Sequence, residues 1–208
     1  MSVIIRTKIR FFEREMTMEK TRCAWANVSE LDQQYHDEEW GVPITKDSDW
    51  FETLILESMQ AGLSWATILK KRETMREAFD YFDYEKIAQY DEVKIERLLQ
   101  NEGIIRHRGK LTAMVHNATL FMDIQKEFGS FNEFIWTYTG GTPIQNHFTQ
   151  LSEVPATTEL STRISKDLKK RGFKFLGPTT VYAFMQASGL VNDHVTTCFC
   201  YKKDLHGA

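Results

Sequence analysis

The sequence predicts an all-α fold, and three observations carry that reading. No proline interrupts the chain between Pro43 and Pro143. Apolar residues in that span recur every three or four positions rather than every two, the period of helices. No stretch alternates as a half-buried strand does, and there is no internal repeat or low-complexity tract to suggest another architecture.

Each element follows from local signals. Asp49 followed by Glu52 opens a helix that carries Leu54, Ile55, Ser58 and Met59 on one face, and AGLS at 61–64 reads as the turn after it. Leu111, Met114, Val115, Ala118 and Met122 form the clearest apolar stripe. SFNE at 130–133 has the spacing of a capping box and precedes Phe134, Ile135 and Tyr138, a short helix that TGGTP at 139–143 ends. From Pro143 to Glu159 the chain turns polar and reads as a surface connection without chemistry. STRISKDLKKRGFKFLGPTTVYAFMQASG then gives two helices joined by GFKFLG, with Pro178 suited to a first helical position and Gly189 to a helix stop.

Bulk properties bound the function. A chain of 208 residues with 42% hydrophobic and 26% charged content suits one domain, expected over residues 19–208 in two helical lobes. Residues 1–18 read as an extension, since Met16 and Met18 offer later starts. The formal net charge of −3 argues against coating nucleic acid by charge alone and leaves room for a local basic patch. No run reaches the length of a membrane span and MSVIIRTKIRFFEREMTMEK has no secretory apolar core, so a cytoplasmic protein without a membrane partner is expected. In a reducing compartment, three cysteines point to metal binding or thiols rather than a disulfide framework.

Three constellations carry possible chemistry. LVNDHVTTCFCY at 190–201 places Cys198 four residues after His194, one turn apart on one face if the segment is helical; CAWANVSELDQQYH adds Cys23 and His36. Two thiols and two imidazoles suit tetrahedral zinc, which here would clip the two ends of the domain together in a structural role. The alternative is two unrelated core pairs, and Cys200 is a possible substitute for Cys198. His107, His116, His147 and His206 show no such pairing. The second constellation is LILESMQAGLSW, where Glu57 lies beside an apolar face that makes an ionised carboxylate costly. With Trp25, Tyr35, Trp40 and Trp65 nearby in sequence, it fits a pocket in which a flat ring stacks while the acid meets its polar or cationic edge. The alternative is a half-exposed acid and core tryptophans. The third is basic: KKR at 70–72, RHRGK at 106–110 with Arg106 and Arg108, and LKKRGFK at 168–174 with Lys170 and Lys174. Such runs are often solvated helix faces, but Gly172 and Gly177 would let a hairpin backbone approach a phosphate closely.

Taken together, CAW, YHDEEWGVP, LESMQAGLSWATILKKRE, GIIRHRGK, LKKRGFKFLGPTT and MQASGLVNDHV resemble the constitutive 3-methyladenine DNA glycosylases of the helix-hairpin-helix superfamily, from about Cys23 to Tyr201. The resemblance implies a monomeric helix-hairpin-helix fold that acts on double-stranded alkylated DNA. It implies zinc at Cys23, His36, His194 and Cys198, Glu57 and Tyr35 contacting a 3-methyladenine base, Trp65 stacking on it, and Trp25 and Trp40 walling the pocket. Leu63 matches the residue that plugs the gap in the duplex, and the hairpin from Gly172 to Gly177 and GIIRHRGK match phosphate contacts. Related enzymes carry a catalytic aspartate near the position of Asp193; its neighbour His194 is a proposed zinc ligand, so Asp193 is expected to support rather than catalyse. No lysine suits a Schiff base, which implies a monofunctional enzyme that leaves an abasic site. The rivals are a non-catalytic zinc-stabilised DNA-binding module and a zinc hydrolase.

Overall fold

The computed structural model describes residues 20–201; the expected extension over residues 1–18 lies outside them. The described chain is built from nine α-helices: α1 (Glu30–Glu38), α2 (Asp47–Gln60), α3 (Trp65–Ala78), α4 (Tyr84–Ile87), α5 (Glu92–Leu99), α6 (Arg108–Phe128), α7 (Phe131–Trp136), α8 (Glu159–Arg171) and α9 (Pro178–Ala187). The all-α expectation stands with one small correction. Ile144–Gln145 (β1) pairs in parallel with Val191–Asn192 (β2), too short a ladder to leave an alternating pattern in sequence. Among the described residues, no helix is long and apolar enough to cross a membrane.

Helix α2 is the centre of the packing. It touches α3, α6, α7 and α9, and Trp50, Phe51, Leu54, Ile55 and Met59 are fully buried on it. Burying a large apolar side chain contributes about 1.5–3 kcal/mol, so these five residues anchor the fold. Enclosure on several faces is also why Leu56, Glu57 and Ser58 are buried. The helix starts two residues before the expected Asp49. Asp47 turns away from its own helix and accepts from the backbone N–H of Phe131 and Asn132, both at 2.9 Å, fixing the start of α7. Ser130 caps α7 by accepting from Glu133 N at 2.9 Å, which is half of the expected box.

Helices α8 and α9 form the expected pair. Gly172 closes α8 at φ +105°, Pro178 occupies the first turn of α9, and Ser165 Oγ donates to the Leu176 carbonyl at 2.7 Å across the hairpin. Asn117 of α6 grips Lys174 from outside, its side chain accepting from Lys174 N at 2.9 Å and donating to Lys174 O at 3.0 Å. After α9, Gly189 at φ +71° lies against the backbone of residues 42–43, where a Cβ would come within 2.4 Å of Pro43 N. That close approach brings the last segment back over the first.

Candidate active site and metal centre

Two adjacent residues of α1 face different neighbours. Tyr35 and His36 follow one another on the helix, so their side chains diverge by about 100°. Tyr35 lines a cavity with Trp25, Trp40, Glu57 and Trp65. His36 joins Cys23, His194 and Cys198 beneath it.

The cavity measures about 480 Å³, within the roughly 300–1,000 Å³ of small-molecule sites. One wall is aromatic: the Tyr35 and Trp65 rings lie 5.1 Å apart and tilted by 44°, and Trp25 meets Trp40 edge-on at 5.1 Å. Glu57 is only 4% exposed and its Oε2 has no hydrogen-bond partner. The indole N–H of Trp65 is buried and equally unpartnered. Loss of hydration pushes the Glu57 carboxyl up to about 8. Burial, then the nearby Glu57, hold the Tyr35 hydroxyl well above its usual range. A buried acceptor and a buried donor left unpaired cost stability, and both belong to residues that line this one cavity, an arrangement that suits a ligand able to supply the partners.

The opposite wall was not legible in the sequence. Leu151, Val154, Pro155 and Ala156, from the connection read as lacking chemistry, line the cavity, as do Thr179, Tyr182 and Gln186 of α9. That reading is corrected: the connection is an apolar side of the pocket. Asp193 also lines it, with both oxygens engaged by Tyr182 Oη (2.6 Å), Gln186 Nε2 (2.8 Å) and Asn146 Nδ2 (2.6 Å).

The four Cys and His side chains are all buried and offer ligand atoms within 4.8 Å of one another. Cys23 Sγ lies 3.6 Å from His194 Nδ1, and Cys198 Sγ lies 3.4 Å from His36 Nε2 and 3.5 Å from His194 Nδ1. Zn–S and Zn–N bonds at tetrahedral angles place S and N about 3.5 Å apart, so the set fits such an ion. The outer ring nitrogens are held as metal-bound imidazoles usually are, His36 Nδ1 by Asp37 at 3.0 Å and His194 Nε2 by the Trp40 carbonyl at 3.2 Å. Arg22 braces Asp37 through two contacts of 2.8 Å. The pairing is not made on a helix. Residues 193–201 run through turns, and the Val195 carbonyl accepting from Cys198 N at 2.8 Å folds Cys198 back to His194. Cys200 is buried beside His36 and Asp37, and its backbone N–H donates to Cys198 Sγ at 3.4 Å.

A family description, methyladenine glycosylase, matches residues 25–201 of this chain. The chain belongs to the methyladenine glycosylase family. It is 49% identical over 180 residues to the Escherichia coli DNA-3-methyladenine glycosylase 1, an alignment covering 86% of this chain and 96% of that protein. The crystal structure of a 3-methyladenine DNA glycosylase I superposes with TM-score 0.84 at 49% identity, covering 86% of this chain and 99% of the other. A variant of such an enzyme, solved in complex with 3-methyladenine, superposes with TM-score 0.85 at 41% identity, covering 88% and 98%.

In this methyladenine glycosylase, the expected DNA-facing residues occupy three separate places. Leu63 projects from the turn after α2, 42% exposed. Gly172 and Gly177 bound the α8–α9 hairpin, where Lys170 and Lys174 are exposed. Arg106 and Arg108 are exposed beside the start of α6, but each meets carboxylates: Arg106 reaches Glu102 at 3.5 Å, and Arg108 pairs with Glu92 and Glu96. Exposed pairs of this kind contribute little and exchange readily for another anion. His107 caps α6 by accepting from Lys110 N at 3.2 Å.

Proposed function

We propose that this protein is a DNA-3-methyladenine glycosylase of base-excision repair, hydrolysing the N-glycosidic bond of 3-methyladenine in alkylated DNA. The unpaired Glu57 carboxylate oxygen and Trp65 N–H in one aromatic cavity carry this reading, because a cationic purine supplies a charge and hydrogen-bonding edges to both. The relatives' names and the bound 3-methyladenine in a similar structure agree with it.

N3-methylation leaves adenine cationic, so the C1′–N9 bond breaks with its electron pair going to a base that departs neutral. Water adds at C1′ and loses a proton, leaving an abasic site. Little acid assistance is needed, and binding does much of the task. Stacking a desolvated cation on aromatic rings is worth about 2 kcal/mol, and charge-assisted bonding to Glu57 adds to it. Flipping the nucleotide costs a few kcal/mol, which these contacts offset. Neutral adenine gains less and stays in the duplex.

The finer reading assigns base contact to Glu57 and Tyr35, stacking to Trp65, and pocket walls to Trp25 and Trp40. Leu63 fills the vacated place in double-stranded DNA. The α8–α9 pair acts as a helix-hairpin-helix grip on phosphates through Gly172, Gly177, Lys170 and Lys174, with Arg106 and Arg108 as a second contact. Zinc sits at Cys23, His36, His194 and Cys198, and four protein ligands leave no position for a reactive water, so its role is structural. The enzyme works as a cytoplasmic monomer and makes no covalent link to DNA.

Incubation with methylated duplex DNA, followed by chromatography, is expected to give free 3-methyladenine and a strand that breaks only on alkaline treatment. Salt-sensitive binding without base release would favour a DNA-binding module instead, and a borohydride-trapped protein–DNA adduct would contradict the monofunctional reaction.

A further inference from the structure

The basic string at 106–110 does not act as one unit. Lys110 is only 5% exposed, and its ammonium points inward, donating to the Met59 carbonyl at 2.8 Å and the Ala61 carbonyl at 2.6 Å. Both carbonyls lie at the end of α2, where a helix runs out of its own N–H donors. From there the chain turns through Gly62 at φ +80°, with Leu63 N donating to Gln60 O at 2.6 Å, and presents Leu63 outward. Burying an ammonium is costly, and here it is offset by two carbonyls that the end of α2 leaves open, so the lysine ties the turn to α6.

Seven residues along α6 is Asn117, fully buried, whose side chain grips the hairpin at Lys174. Lys110 and Asn117 share a face, about 10.5 Å apart along the axis. The first half of α6 therefore holds the Leu63 turn at one point and the hairpin at another.

We propose that Lys110 is a positioning residue for duplex opening, fixing the Leu63 turn at a set distance from the phosphate grip with α6 as the spacer. The proposal rests on the reading of the protein as a base-flipping glycosylase. The hairpin anchors the backbone while Leu63 enters the stack, so the distance between them decides whether the wedge meets the gap. Free 3-methyladenine needs neither element to reach the cavity.

The test compares wild type with Lys110→Met and Lys110→Arg, measuring base release from methylated duplex DNA and binding of free 3-methyladenine by tryptophan fluorescence. Lys110→Met is expected to lower kcat on duplex at least tenfold and to change free-base affinity less than twofold; Lys110→Arg, which keeps a cation with several donors, is expected to recover most of the rate. Should the methionine variant not fold, Lys110→Gln, too short to span both carbonyls, is expected to give the same split. A duplex rate within twofold of wild type, or parallel loss of duplex rate and free-base affinity, would overturn the proposal. Failure of the wild type itself to release base would instead overturn the glycosylase reading.

Discussion

At the residue scale, the unpartnered Glu57 carboxyl and Trp65 N–H are expected to trade stability for binding. Glu57 titrates near 8 in the folded chain, against 4.5 for an unperturbed glutamate. Below 4.5 both folded and unfolded chains hold the proton and nothing is lost. Between those values only the unfolded chain ionises, so stability falls as pH rises, and above 8 the cost is complete, on the order of 3–5 kcal/mol. Glu57→Gln is therefore expected to raise Tm over wild type at pH 8 and leave it unchanged near pH 4; equal Tm values at pH 8 would show that the carboxyl is not desolvated. With Glu57 in its proposed role, the same titration is expected to govern activity. The acidic limb of kcat/KM is expected near pH 8, and that of kcat lower, because a bound cation draws the proton off. Trp65→Phe keeps a ring and removes the unpartnered N–H, so free-base affinity should fall about two- to tenfold without loss of thermal stability. Glu57 and the four aromatic residues were legible in the sequence as a candidate pocket, since an acid among apolar residues needs a reason. That they enclose one cavity was not, because it depends on how α1, α2 and α3 cross.

At the element scale, the hairpin is expected to depend on α6. Asn117→Ala removes two hydrogen bonds to Lys174, at about 1–3 kcal/mol, and should weaken DNA binding without changing its salt dependence, because no cation is lost. Lys170→Ala should do the reverse, reducing the slope of log K against log salt by about 0.9 for one lost phosphate contact. Identical slopes for all three proteins would remove Lys170 from the phosphate grip. The α8–α9 pair was readable because glycine and proline punctuate it. The wall at residues 151–156 was not, since its small apolar residues follow no period and gain meaning only by lying over the cavity. The four Cys and His residues that cluster were also legible as a set, although His194 and Cys198 meet through turns and not along a helix.

At the scale of the whole molecule, the Cys and His cluster ties the beginning of the described chain to its end. Purified protein is expected to contain one zinc per chain, and chelation or Cys198→Ala should lower Tm by several degrees while folded molecules still release base. Retained stability after complete metal loss would leave the four side chains a buried polar cluster and no more. A zinc hydrolase predicts instead that activity vanishes with the metal even where the fold persists.

The most direct measurement is release of 3-methyladenine from methylated duplex DNA by wild type and Glu57→Gln side by side at pH 8, both shown to be folded. The account predicts release by wild type and at least tenfold slower release by the variant, although the variant is the more stable protein. Equal release by the two would contradict recognition of the base at Glu57.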